Sequence, residues 1–120
     1  MIVSKIKGGL GNQLFQYATG KYLSILNNSE LLLDISWYDN NKDKKFLLKN
    51  FNIDIKIASD SLIRKFYSNS SNKLFKKLLN TIKELNGYKI YKEKTVFKFD
   101  SEILKKNKNI YLNGYWQNEK

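Results

Sequence analysis

Apolar and polar residues alternate from Ile2 to Lys7, which is the two-residue period of a strand. Gly8-Gly9-Leu10-Gly11 interrupts the alternation. From Asn12 the period lengthens to that of a helix, with Leu14, Phe15, Ala18, Tyr22, Ile25 and Leu26 as its apolar stripe and Asn27-Asn28 as its stop. Leu31-Leu32-Leu33 is a short continuous apolar run ending in Asp34, the pattern of a buried parallel strand. Strand, glycine turn, helix and strand make a βαβ opening, so the predicted fold class is α/β.

The middle of the chain is less regular. Asp39 to Lys45 reads as a polar loop, and Phe46 to Ile57 as short extended pieces. Ser59 or Asp60 can cap a short helix holding Leu62, Ile63 and Phe66. A polar hinge from Ser68 to Asn72 precedes a second amphipathic pattern, Leu74, Phe75, Leu78, Leu79, Ile82 and Leu85, closed by Gly87. Lys89 to Lys98 reads as extended, with Ile90, Tyr91, Val96 and Phe97 as its apolar members. Asp100 or Ser101 starts a short helix through Lys105, and Ile110 to Asn113 is a further strand. No repeat or low-complexity linker marks an internal boundary.

Composition narrows the chemistry. Among 120 residues there is no cysteine and no histidine, which removes disulfides, thiolate metal sites and every Ser-His or Cys-His arrangement. The net charge of +11 is carried almost wholly by lysine, with Arg64 the one arginine. A solvated lysine-rich surface accounts for this more simply than nucleic acid does. The bidentate arginine fork is missing, and no helix-turn-helix, zinc or RNA-recognition pattern appears. The start at Met1-Ile2-Val3-Ser4 shows no signal-peptide pattern, and no apolar run reaches the roughly 20 residues of a membrane span. The expected location is cytoplasmic, with lysines available for peripheral contact with the inner membrane face.

The glycine turn is the strongest chemical signal. Between a strand and a helix, such a turn brings backbone close to a ligand and aims free N–H groups at an anion. The dinucleotide fingerprint fails because Leu14 stands where its third glycine belongs, although Asp34 occupies the place of its ribose-binding acid. The Walker pattern fails for want of a closing Gly-Lys-Ser/Thr. A phosphate site and a plain tight turn remain equally open on these residues, and Asn12 has its own plain role as a helix cap, which does not exclude ligand contact.

Gly8-Gly9-Leu10-Gly11-Asn12-Gln13-Leu14-Phe15-Gln16-Tyr17-Ala18-Thr19-Gly20 closely resembles the opening of glycosyltransferase family 11, the alpha-1,2-fucosyltransferases. Leu33 to Tyr38, Leu47 to Ile53 and Leu112 to Lys120 are similar to that family's later landmarks, so the resemblance runs from end to end. It implies a GT-B architecture of two Rossmann-like domains. Residues 1–120 would form one incomplete, acceptor-side Rossmann-like domain, and the second, nucleotide-binding domain would be absent. The implied reaction transfers fucose from GDP-fucose to the 2-hydroxyl of a galactoside acceptor glycan, with inversion and no essential metal or cofactor, in bacterial surface polysaccharide synthesis. Carried over from the family, Gly9, Gly11, Asn12 and Gln13 become the substrate-binding cleft residues, while the general base stays unassigned.

The family's His-x-Arg-Arg-Gly-Asp-type motif, which binds the diphosphate, has no counterpart here. The resemblance therefore implies a fragment or truncated product. Leaving-group charge needs fixed donors, so 120 residues without those arginines are expected to be inactive alone and only marginally stable. Asp34 can be a base, a ribose ligand or a turn former, and turn forming is the favoured role. Tyr17 and Lys21 lie off the apolar stripe, where an ordinary solvated face is favoured over a cleft lining. Trp37, Tyr38, Tyr115 and Trp116 are expected to pack in a core or interface rather than stack on sugar. Lys105-Lys106-Asn107-Lys108 reads as a solvated turn. The lysine-flanked helix from Asn72 to Leu85 suits an anionic membrane, but packing within the domain is the favoured reading.

Overall fold

A computed structural model describes residues 1–95, 98, 100–105 and 107–117. Four parallel strands form one sheet in the order β2-β1-β4-β3: β1 is Ile2–Lys5, β2 Leu31–Asp34, β3 Tyr88–Lys92 and β4 Asn109–Asn113. The helices are α1 (Leu10–Leu26), α2 (Asp60–Phe66) and α3 (Lys73–Leu85). The α/β class and the buried parallel strand ending at Asp34 agree with the sequence reading. No helix among the described residues is long and apolar enough to cross a membrane.

Register divides the side chains between two faces. Ile2 stands opposite both Leu31 and Ile110, and these join Leu23, Tyr91, Ile103, Leu112 and Trp116 in the cluster beneath α1. Val3 and Tyr111 point the other way and pack with Ala58 and Phe66 beneath α2. Because successive strand residues alternate faces, both sides of the central strands are apolar, as parallel sheets require. A third cluster, Ile6, Leu33 and Leu48, lies next to the glycine turn with Tyr17 and Tyr38 packed on it.

Helix α1 departs from its apolar pattern. Its buried residues are Gln13, Gln16, Gly20, Leu23 and Ser24, whereas Leu14, Phe15, Ala18, Tyr22, Ile25 and Leu26 are exposed. Gly20 explains part of the reversal. A Cβ there would lie 2.8 Å from Leu31 Cδ1 and 3.1 Å from Ser4 Cβ, so the helix approaches β1 and β2 at its smallest residue. Ser4 Oγ donates to the Gln16 carbonyl at 2.9 Å across the same contact. Gln13 and Gln16 are tolerated on the buried side because turn and loop backbone gives them partners, although Gln16 Nε2 has none among the described residues.

Elsewhere the local signals hold. The Ser59 hydroxyl accepts the Leu62 N–H and starts α2, and the Asp100 carboxylate starts a 3-10 turn over Ser101–Leu104. Asn72 caps α3 by accepting from Leu74 and Phe75, and Gly87 follows its end at φ 83°, a left-handed value that suits glycine. The stretch from Phe46 to Ile57 yields a 3-10 turn at Leu48–Asn50 and one parallel bridge between Ile57 and Leu33. Val96, Phe97 and Lys106 lie outside the described residues, as do Asn118, Glu119 and Lys120.

Candidate functional site

The chain leaves β1 toward β2 on one side and returns through the far edge strand β3 to β4 on the other. Connections that diverge at the carboxyl ends of neighbouring parallel strands open a crevice there, the usual ligand position of such sheets. Here the segment after β1 contributes Lys7, Gly8 and Gly9, the start of α1 contributes Asn12, and β4 with the segment after it contributes Asn113, Tyr115 and Gln117.

The left-handed residue in the glycine turn is Gly8, at φ 79°, where a Cβ would meet Asn12 Nδ2 at 2.6 Å. Gly9 is extended and precedes the first helical residue, so it is the helix cap and Asn12 is not. With no side-chain acceptor at Gly9 and no acid in the first turn, the leading N–H groups of α1 receive no partner from their own cap or first turn. A Cβ at Gly9 or Gly11 would have no other atom within 4 Å, so these two glycines face open space. Asn12, inside the helix, accepts from the Gln117 side-chain amide and ties α1 to the segment after β4.

Gln13 has a different role from its three companions. It is fully buried, and its Nε2 donates to the carbonyls of Gly8 (3.1 Å) and Lys45 (2.8 Å) while its Oε1 accepts the Leu47 N–H (2.8 Å). It fastens the glycine turn to the loop before Leu48. Tyr38 adds a second donor to the Gly8 carbonyl at 3.0 Å, and burial pushes its phenol up to about 12. Gln16 accepts the Lys7 N–H at 2.9 Å. Of the four carried-over residues, Gly9 and Gly11 face open space, Asn12 is half-buried against Gln117, and Gln13 is buried behind the turn.

Among the described residues, Lys7 brings a cation to this end of the sheet. Its ammonium reaches Asn113 Oδ1 at 3.4 Å and lies 4.5 Å from the centre of the Tyr115 ring, a cation–π distance. Partial burial, assisted by Lys5, lowers its pKa from the ordinary lysine value. Behind it, Glu93 accepts the N–H groups of Tyr115 (2.7 Å) and Trp116 (3.1 Å), which holds the turn after β4. Gly114 permits that turn, since a Cβ there would sit 2.5 Å from Glu93 Cβ. Neither Lys7 nor Glu93 stands out in the sequence, because what brings them together is the pairing of β1 with β4 and of β4 with β3.

The remaining candidates resolve individually. Asp34 is buried: one oxygen accepts the Ser36 N–H at 2.9 Å, which is the turn-forming role, and the other accepts the Tyr111 hydroxyl. Burial and the adjacent Asp34 charge push the Tyr111 phenol far above its ordinary range. Trp116 is buried, with φ 58°, in the cluster beneath α1, while Trp37, Tyr38 and Tyr115 are half-buried. Tyr17 is half-buried against the Ile6 cluster, and Lys21 is exposed.

Over 55 residues, 45% of this chain, the sequence is 46% identical to the alpha-1,2-colitosyltransferase of Escherichia coli, a glycosyltransferase. The matched stretch is 19% of that protein's length. No protein-family model and no solved structure matches the chain.

Proposed function

We propose that this chain is the acceptor-side part of an alpha-1,2-glycosyltransferase that moves fucose from GDP-fucose to the 2-hydroxyl of a galactoside with inversion. The observation that carries the reading is the open glycine turn beside Lys7, in a chain 46% identical over 55 residues to a transferase named for the same alpha-1,2 linkage. Colitose is fucose without its 3-hydroxyl, so the two donors call for one displacement and differ by a single polar contact. The GT-B arrangement, with the nucleotide on a facing domain, belongs to this proposal.

Inversion requires the acceptor 2-oxygen to attack the anomeric carbon opposite the diphosphate. The carbon–oxygen bond to GDP breaks, negative charge collects on the diphosphate, and a base takes the acceptor proton. The residues of this chain suit the acceptor side of that event. Asn12 and Gln117 present amides for sugar hydroxyls, Tyr115 offers a ring, and Lys7 with the start of α1 supplies positive potential. Asp34 and Glu93 are held by hydrogen bonds inside the fold and are not placed as the base. Arg64 lies on α2, where its carbonyl accepts from α3, so the arginines that would steady the diphosphate are not at this crevice.

Nuclear magnetic resonance on the isotope-labelled chain tests the reading. A β-galactoside should shift the amide signals of Gly9, Gly11 and Asn12, and GDP-fucose added with it should remain unconsumed. Silence of those signals at millimolar galactoside sinks the acceptor assignment. Release of GDP by the pure chain would show that the missing arginines are not needed. Tight binding of GDP alone would instead favour a non-enzymatic nucleotide-binding βαβ module.

A further inference from the structure

Helix α3 has no buried residue, although it is strongly amphipathic. At 100° per residue, Leu74, Leu85, Leu78, Ile82 and Phe75 fall within an arc of about 100°. All five point outward, with Leu74 81% and Leu85 82% exposed. The helix is held to the body by its other side. The Lys83 ammonium donates to the carbonyls of Arg64 and Tyr67 near the end of α2, and Asn80 accepts from Ser68. Packing within the domain, the role favoured for this helix from sequence, is therefore not what its apolar stripe does among the described residues.

The charges beside the stripe select its partner. Lys73 and Lys77 flank it on one side and Lys76 on the other, and all three are exposed. Glu84, the helix's one acid, pairs with Lys89 at 3.1 Å, and among the described residues no acid pairs with those lysines. Protein interfaces are depleted in lysine and favour aromatic residues, methionine and arginine, of which α3 carries only Phe75 against four lysines. Two copies meeting stripe to stripe would bring their lysine margins together. A lysine-edged leucine stripe fits the boundary between anionic headgroups and acyl chains.

We infer that α3 is an interfacial anchor that lays Leu74, Phe75, Leu78, Ile82 and Leu85 into an anionic lipid surface with Lys73, Lys76 and Lys77 at the headgroups. The inference is independent of the glycosyltransferase reading. It predicts a chain that sits on a membrane without crossing it.

Co-sedimentation of the 120-residue chain with phosphatidylcholine vesicles, with and without phosphatidylglycerol, reads the effect directly. Each lysine near an anionic surface contributes roughly fivefold, so three should tighten binding on the order of a hundredfold. Leu78→Glu should weaken binding at least about tenfold by removing a buried leucine from the lipid. The triple variant Lys73→Gln, Lys76→Gln, Lys77→Gln should lose the preference for anionic vesicles. The chain has no cysteine, so a polarity-sensitive dye on Leu74→Cys should shift to the blue on vesicles, whereas one on Asp43→Cys should not. Equal binding to both vesicle types, binding that survives Leu78→Glu, or a dimer in solution that Leu78→Glu dissolves would each overturn the anchor.

Discussion

Helices α1 and α3 both carry apolar residues at helical spacing, and both turn many of them away from the sheet. Their attachments differ. Helix α1 is fastened from within, by Gly20 against β1 and β2 and by two buried glutamines bonded to turn backbone. Helix α3 is fastened at its margin, by the Lys83 ammonium on carbonyls near α2 and by Asn80 accepting from Ser68. An apolar stripe therefore locates a helix without saying which side it presents to the body. In α1 the side that fits is the one with the smallest residue and the polar groups whose partners lie beneath it.

The contrast breaks most sharply at Gln13. Gln13→Leu leaves the Gly8 and Lys45 carbonyls short of a donor and the Leu47 N–H without its acceptor, and should cost about 3 kcal/mol in urea unfolding. A loss under about 1 kcal/mol would mean the turn is not sewn to α1 in this way. Gly20→Val comes next. It forces a branched side chain against Ser4 and Leu31, and a drop of about 2 kcal/mol is expected from thermal melts. If the variant is as stable as the parent, α1 does not rest on the sheet at that residue.

Tyr111→Phe should cost about 2 kcal/mol near neutral pH, because one Asp34 oxygen loses its buried donor. The same variant carries a pH signature. Tyr111 holds its proton in the folded state at pH values where the unfolded chain releases it, since its folded pKa is raised. That stabilisation is complete below about pH 10 and falls above it, by about 1.4 kcal/mol per pH unit for one group. Urea midpoints taken from about pH 8 to pH 11 should decline less steeply in Tyr111→Phe. Parallel curves would remove Tyr111 as the source.

The smallest effect belongs to α3. Leu78→Glu should change stability by less than about 0.5 kcal/mol, since Leu78 is exposed. A loss beyond about 2 kcal/mol would show that the stripe is covered in solution, and α3 would then resemble an ordinary packed helix.

Most elements and their punctuation were legible in the linear chain, the stretch from Phe46 to Ile57 excepted. Alternation marked β1, the leucine run marked β2, Ser59 and Asp100 announced their caps, and Gly87 announced the left-handed residue after α3, whereas Asn72, read as part of a hinge, proved to be the α3 cap. These features depend on interactions within a few residues, so a linear reading can reach them. The glycine turn was also visible, although the residue that needs a positive φ proved to be Gly8, and the cap proved to be Gly9 rather than Asn12. Packing across the sheet was needed to put Gln13 behind the glycine turn, Asp34 against Tyr111, and Lys7, Tyr115 and Glu93 together where β4 lies between β1 and β3. Those contacts join residues far apart in the chain. They are fixed by strand order, sheet face and the search of buried polar groups for partners, none of which leaves a local trace.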